Sequence, residues 1–251
     1  MFLPIFTIFI LGLAAGSFFN VVIFRLKDVK TIFIGRSKCL SCLNHLHWYD
    51  NIPLLSYVLL RRKCRFCKKV IDWQYPAVEL VTALIYLFGY FRFGLDANFI
   101  AYILFSSFLI IIFVYDLRYY LILDKITVPA MVLALVINPF LGKSPVDLIF
   151  GAVILSGFFF FQFIISKGKW IGGGDIRLGA VMGFMLGWQF GLLALFLAYM
   201  IGAVVGIVLI IQKKKGFKSE VPFGTFLSLA TLIVLLYGQE ILSWYLGKII
   251  Y

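Results

Sequence analysis

Eight apolar runs, at about 2–24, 76–92, 97–115, 126–141, 147–165, 175–188, 190–211 and 225–246, leave this chain few ways to fold. A bilayer core about 30 Å thick takes about 20 apolar residues per helix, somewhat fewer where neighbouring helices shield the segment. With 63% hydrophobic and only 14% charged residues, the chain carries too much apolar surface for a soluble domain of its size. The runs therefore predict an all-α polytopic membrane protein of about eight transmembrane helices, the fourth and sixth being the shortest. The first run has no basic residue ahead of it and its first Lys and Arg after it, the reverse of a secretory signal, so it is expected to stay as a helix.

Charge sets the orientation. Threaded through eight spans, the chain puts Arg92, Lys143 and Lys248 on one side and the other twenty of its 23 basic residues on the opposite side. The positive-inside rule makes the crowded side cytoplasmic and leaves both termini outside. The net charge of +12 is then a topology signal. It is spread over several loops of an apolar protein, which argues against nucleic acid as the partner, while the same loops suit anionic lipid headgroups.

The longest polar interruption, 25–75, reads as a small cytoplasmic domain between a first helix (1–24) and a seven-helix remainder (76–251). It holds all four cysteines, as Cys39-Leu-Ser-Cys42 and Cys64-Arg-Phe-Cys67, with 21 residues between the pairs. Two Cys-x-x-Cys hooks at this spacing suit four thiolates around zinc, and a reducing cytoplasm does not favour structural disulfides. So short a segment has little core of its own, so metal binding would act as folding energy. A complete four-thiolate shell is structural and has no open position for catalysis, which leaves His45 and His47 as ordinary loop residues.

Few acids lie within or at the ends of the apolar runs. They are Glu79, Asp116, Asp124 and Asp175. A carboxylate at the centre of a transmembrane helix costs roughly 2.5–3.5 kcal/mol, so such residues usually line a polar site and have a task. Asp116 ends the third span and Asp175 opens the sixth, at matching depth on the cytoplasmic side. Brought face to face, two carboxylates share a proton, so that one acts on a water while the other polarises a scissile carbonyl. The pairing alone suits ion transport equally well. Gly172, Gly173 and Gly174, just before Asp175, would allow close backbone approach or positive φ beside it, as a passing substrate strand needs. Gly179, Gly183 and Gly187, and again Gly202 and Gly206, repeat every four residues as helix-packing positions.

At this point the blocks GLAAGSFFNVVIFRL (12–26), HWYDNIPLLSYVLLRRKCR (47–65), QYPAVELVTALIY (74–86), DLRYYLILDKITVP (116–129), GGGDIRLGAVMGFMLGW (172–188) and VPFGTFLSLA (221–230) carry a resemblance. Together they resemble the GxGD intramembrane aspartic proteases, and most closely the bacterial type IV prepilin peptidases of the A24 type. The resemblance implies Asp116 and Asp175 as the catalytic pair, and Gly172, Gly173, Gly174, Asp124 and Arg177 as supporting residues, Asp124 orienting the site or capping the fourth span. It implies cleavage of the short basic leader of a prepilin, pseudopilin or competence pilin at the cytoplasmic face of the bacterial inner membrane, typically after Gly and before a Phe-like residue. In many members S-adenosylmethionine then methylates the new amino terminus. No soluble-type nucleotide fingerprint is present, and 48–56 with Glu79 is the region to inspect for that cofactor. The chain departs from its relatives at Leu40, Gln74, Leu123 and Arg177, none of which removes a proposed catalytic group. An ion-coupled transporter should show an internal repeat of broken helices, which the sequence lacks. A zinc-dependent assembly scaffold would tolerate loss of both aspartates.

Overall fold

The computed structural model describes residues 2–26, 37–212 and 221–249. The basic residues Lys27, Lys30, Arg36, Lys213, Lys214, Lys215 and Lys218 of the orientation argument lie outside the described residues, as does 27–36 of the 25–75 segment. The eight apolar runs are all helical: α1 (Phe2–Arg25), α3 (Gln74–Phe93), α4 (Ala97–Tyr119), α5 (Asp124–Phe140), α6 (Pro145–Ser166), α7 (Gly173–Leu186), α8 (Trp188–Ile211) and α9 (Phe223–Ile249). A short α2 (Leu55–Leu59) lies between α1 and α3, and no strand longer than a single bridge occurs among the described residues. Six of the helices (α1, α3, α4, α6, α8 and α9) are long and apolar enough to cross a membrane. The other two are the short ones expected: at ~1.5 Å per residue α5 spans about 25 Å and α7 about 21 Å.

The chain forms two compact units, Met1–Phe99 and Ile100–Tyr251. In the first, α1 lies against α3 because glycine lets the two backbones meet. A Cβ at Gly12 would stand 2.5 Å from Ala83 Cα, and one at Gly16 would stand 2.6 Å from Glu79 Cα. Four residues apart, these glycines share one helix face and form the small-residue seam on which membrane helices associate. Beyond the seam the contact turns polar: Asn20 Nδ2 donates to Tyr75 O at 3.1 Å, and Phe24 stacks on Tyr75 at 5.1 Å. Packing thus puts α3 with α1, although the sequence groups it with the later helices.

In the second unit α7 is the hub, in contact with α5, α6, α8 and α9. Leu178, Val181, Met182 and Met185 of α7 are fully buried, so a helix too short to face lipid alone is sheathed by its neighbours. Two of the three expected packing glycines on it act as such. A Cβ at Gly179 would meet Phe159 Cδ2 at 2.8 Å and Leu155 O at 3.0 Å, and one at Gly183 would strike the backbone of Gly151 and Ala152 on α6. Gly187 does something else: at φ +79° it ends α7 and turns the chain into α8, a left-handed position that favours glycine. Of the second pair, Gly202 faces the Phe226 ring at 3.2 Å, whereas Gly206 has no neighbour within 4 Å. The carboxyl end of α7 is pinned as well, since Asn138 Nδ2 donates to Phe184 O at 2.7 Å and Lys143 Nζ to Met185 O at 3.0 Å. A cation and an amide on the last carbonyls satisfy groups that a helix end leaves open.

Candidate functional site

Asp116 lies in the last turn of α4 and is 4% exposed, and Asp175 lies in the first turn of α7 and is 8% exposed. Each carboxylate is held by the amino end of a helix. Thr225 N, in the first turn of α9, donates to Asp116 Oδ2 at 2.9 Å, and Gly224 N assists. Gly172 N, just before α7, donates to Asp175 Oδ2 at 3.1 Å. The first backbone N–H groups of a helix have no partner within it, and the helix dipole is positive there, so a carboxylate finds two favourable terms at once. The two groups are close enough for the charge of Asp116 to act on Asp175. Burial with hydrogen-bond acceptance leaves oxygen atoms on each carboxyl for a water or a substrate carbonyl.

Ile122, in the connection between α4 and α5, spaces the two helix ends. A Cβ at Gly174 would stand 2.8 Å from Ile122 Cβ, and one at Gly224 would stand 2.7 Å from Ile122 Cδ1 and 2.8 Å from Asp116 Oδ2. Any larger residue at either position would displace the isoleucine or the carboxylate. The glycine triplet therefore differs in detail from the sequence expectation. None of its members has a positive φ; Gly174 serves close packing on Ile122, while Gly173 faces open space beside the carboxylate. Gly172 supplies the amide that Asp175 accepts.

Arg177 and Asp124 pair at 2.7 Å, each about half exposed. The pair ties the start of α5 to the start of α7 two residues beyond Asp175. As an exposed ion pair it contributes about 0–1 kcal/mol. Asp124 does not cap α5: the N-cap position is Leu123, with no side-chain hydrogen bond, and Asp124 follows it as the first helical residue. Sequence reading missed Ile122, Gly224 and Thr225 as parts of this site. The available signal was Pro222 just before an apolar run, followed by a small residue and a hydroxyl, a helix start able to receive an anion.

The cysteines come together in the first unit. The four Sγ atoms lie within 4.8 Å of one another, with Cys39 and Cys67 Sγ 3.9 Å apart. Zn–S bonds of about 2.3 Å in a tetrahedron require sulfur separations of ~3.8 Å, so the set fits a zinc ion. Both hooks have the same backbone. Leu43 N donates to Cys39 O, and Cys39 N to Asn44 O; Lys68 N donates to Cys64 O, and Cys64 N to Lys69 O. The turn residue has positive φ in each, Leu43 at 59° and Lys68 at 60°, and each hook is closed by one bridge, Lys38 with His45 and Lys63 with Val70. Two matching turns that order their thiols without the metal's help form a preorganised centre. Burial opposes ionisation of Cys39, yet the N–H groups of Cys42 and Ser41 bring its thiol down to about 6, toward the thiolate a metal needs.

A second network joins this centre to the following turn. Asp50, on the 3-10 turn Trp48–Asn51, accepts from Arg65 Nε at 3.0 Å, and its ion pair with Arg65 Nη2 measures 2.8 Å. Arg65 sits between Cys64 and Cys67, and its guanidinium lies 5.1 Å from the Tyr49 ring centroid. Burial works against the charge on Asp50, but Arg65 and the His47 amide hold its carboxyl below the ordinary range. His47 stacks on Tyr49 at 5.0 Å and on Phe66 at 5.8 Å, so it is a structural ring beside the hooks.

Fold and site together define a multi-pass helical membrane protein with a buried aspartate pair at paired helix starts and a four-cysteine centre fit for a metal. The sequence matches the bacterial Peptidase A24 N-terminal domain over residues 10–93 and the type IV leader peptidase family over residues 103–207. It is 33% identical over 247 residues to the prepilin leader peptidase/N-methyltransferase of Bacillus subtilis, covering 95% of this chain and 96% of the relative. The enzyme of the same name from Stutzerimonas stutzeri is 32% identical over 266 residues, covering 94% and 92%. That of Myxococcus xanthus is 36% identical over 217 residues, covering 83% and 64%. No solved structure matches. The chain belongs to the type IV leader peptidase family.

Proposed function

We propose that this chain is a membrane-embedded aspartic endopeptidase that removes the leader of a prepilin, pseudopilin or competence pilin and then methylates the new amino terminus. The observation that carries the peptidase reading is the buried pair Asp116 and Asp175, each held by a helix start and each within the other's field. In this mechanism the pair shares one proton. The charged member removes a proton from water, the water oxygen attacks the scissile carbonyl, and the protonated member hydrogen-bonds the carbonyl oxygen as it gains charge. Collapse of the tetrahedral intermediate breaks the C–N bond, and the proton taken from water passes to the leaving amine. The open space at Gly173 gives a substrate strand room to lie against the carboxylates. Arg177 and Asp124 hold the starts of α7 and α5 together at the rim.

In this reading residues 25–75 are a cytoplasmic domain stapled by zinc on Cys39, Cys42, Cys64 and Cys67, between a first helix (1–24) and the helices from 76 onward that carry the peptidase. Sulfur geometry and thiolate-favouring turns support zinc. The excess of Lys and Arg on one side supports a cytoplasmic active site and external termini, with anionic lipid against the basic loops. S-adenosylmethionine supplies the methyl group for the second reaction, as the name of the relatives implies. The direct test incubates purified protein with a prepilin and S-adenosylmethionine and weighs the product by mass spectrometry. A shortened chain heavier by one methyl group is expected; an unchanged prepilin would overturn the proposal.

A further inference from the structure

In the first compact unit, four acids are described: Asp50, Asp72, Glu79 and Asp96. Three have evident local work. Asp50 pairs with Arg65, Asp72 accepts from Gln74 N at 3.0 Å at the start of α3, and Asp96 accepts from Phe99 N at 2.9 Å at the start of α4. Glu79 differs from all of them. It is 7% exposed on the α1–α3 seam, and the groups that reach it are Leu54 N, donating to Oε2 at 2.8 Å, and the Ser17 side chain. No cation faces it among the described residues. A carboxylate removed from water in an apolar seam is costly to retain unless its charge is used, and glutamine would accept the same two hydrogen bonds.

The backbone around Glu79 is shaped to it. Leu54 sits at φ 59° and ψ −49°, a conformation that a branched side chain rarely adopts and that costs on the order of 1–3 kcal/mol. The strain turns the Leu54 N–H toward the carboxylate. From the other side Gly16 lets α1 come against Glu79 Cα, which brings Ser17 into reach. The Leu54 loop is the continuation of the Trp48–Asn51 turn, and the Asp50–Arg65 pair fastens that turn to the second cysteine hook. Zinc, turn, strained loop and buried acid thus form one connected structure within a single unit.

Methyl transfer from a sulfonium to an amine presents cations at both ends: the donor sulfur is positively charged, and the freshly exposed amino terminus is an ammonium. We infer that Glu79, aimed by the Leu54 loop, is the anionic binding group for the cationic reactant of methyl transfer, a sulfonium or an α-ammonium. This rests on the methyltransferase reading of the chain.

The experiment compares wild type with Glu79→Gln in three readouts: prepilin cleavage, methyl transfer to the already cleaved chain, and equilibrium binding by calorimetry of S-adenosylmethionine and of S-adenosylhomocysteine, whose sulfur is neutral. Glutamine keeps an acceptor for Leu54 N and Ser17, so a merely structural role survives the substitution. The expected result is a loss of methyl transfer on the order of a hundredfold, as for removal of one member of a buried charge contact, with cleavage within about threefold of wild type. Weaker binding of S-adenosylmethionine with unchanged S-adenosylhomocysteine identifies the sulfonium as the cation. Unchanged binding of both with a raised KM for the cleaved chain identifies the α-ammonium. Methyl transfer, affinities and KM that all match wild type would overturn the inference, as would a parallel loss of cleavage and methylation with a lowered unfolding temperature. A wild-type protein that cleaves but never methylates would instead refute the methyltransferase reading, and the inference with it. Leu54→Gly, which relieves the strain and keeps the N–H, should methylate normally.

Discussion

Replacing Gly183 by alanine should cripple cleavage from a distance. A Cβ there would overlap the carbonyl carbon of Gly151 and the nitrogen and Cα of Ala152, all backbone atoms that cannot swing aside as a side-chain tip can. Ordinary contact distances would require α6 and α7 to part by on the order of 1 Å, a typical overpacking cost being ~1–3 kcal/mol. The gain in helix propensity, ~1 kcal/mol, offsets part of that cost. Asp175 is eight residues away on the same helix, ~12 Å along its axis. Because Asn138 and Lys143 pin the other end of α7, a forced separation at Gly183 tilts the helix and shifts Asp175 relative to Asp116. A displacement of ~1 Å in a reacting group is worth ~100-fold in rate. Prepilin cleavage by purified Gly183→Ala should therefore fall about a hundredfold in kcat/KM, with a lowered unfolding temperature. Gly157→Ala and Gly206→Ala are the controls, since neither site has a heavy atom within 4 Å. Wild-type cleavage by Gly183→Ala, or equal damage from all three substitutions, would refute the argument.

Replacing all four cysteines with serine should lose methylation more completely than cleavage, because the cysteines and the aspartates belong to different compact units, and metal analysis of wild type should give about one zinc per chain. A quadruple mutant that methylates normally would remove zinc from the account. The cleavage rate should be bell-shaped in pH, since the charged member of the dyad is lost on the acid side and the protonated member on the alkaline side, and the limbs report the pair. A rate independent of pH over the acid and neutral range would oppose a shared proton. Arg177→Gln should cost at most about 1 kcal/mol of stability, as read by thermal unfolding, because both members of its pair with Asp124 are half exposed.

The helices were legible because each must satisfy one local demand, an apolar length matched to the bilayer, and even the short α5 and α7 stood out as short. The cysteine centre was legible for a similar reason, since Cys-x-x-Cys spacing is a local geometric requirement. What the sequence hides is contact between distant segments. Asp116 could be singled out as an acid in an apolar run, but its partner Thr225 is 109 residues away, and nothing local marks Ile122 as the spacer between two helix starts. Glycines were recognisable as special without revealing their task. Gly179 and Gly183 pack, Gly187 turns the chain, Gly206 touches nothing, and the seam glycines Gly12 and Gly16 stood unremarked inside a longer block. Asp124 had the position of a helix cap, and only packing reveals that its partner is Arg177.

The central claim is that Asp116 and Asp175 together perform the cleavage, and the most direct measurement is prepilin processing by Asp116→Asn and Asp175→Asn, each purified in detergent. Asparagine keeps the size and can still accept the helix-start hydrogen bonds, but it cannot exchange the proton the reaction needs. The account predicts that each single mutant stays folded and leaves the prepilin intact. Full processing by either one would contradict it.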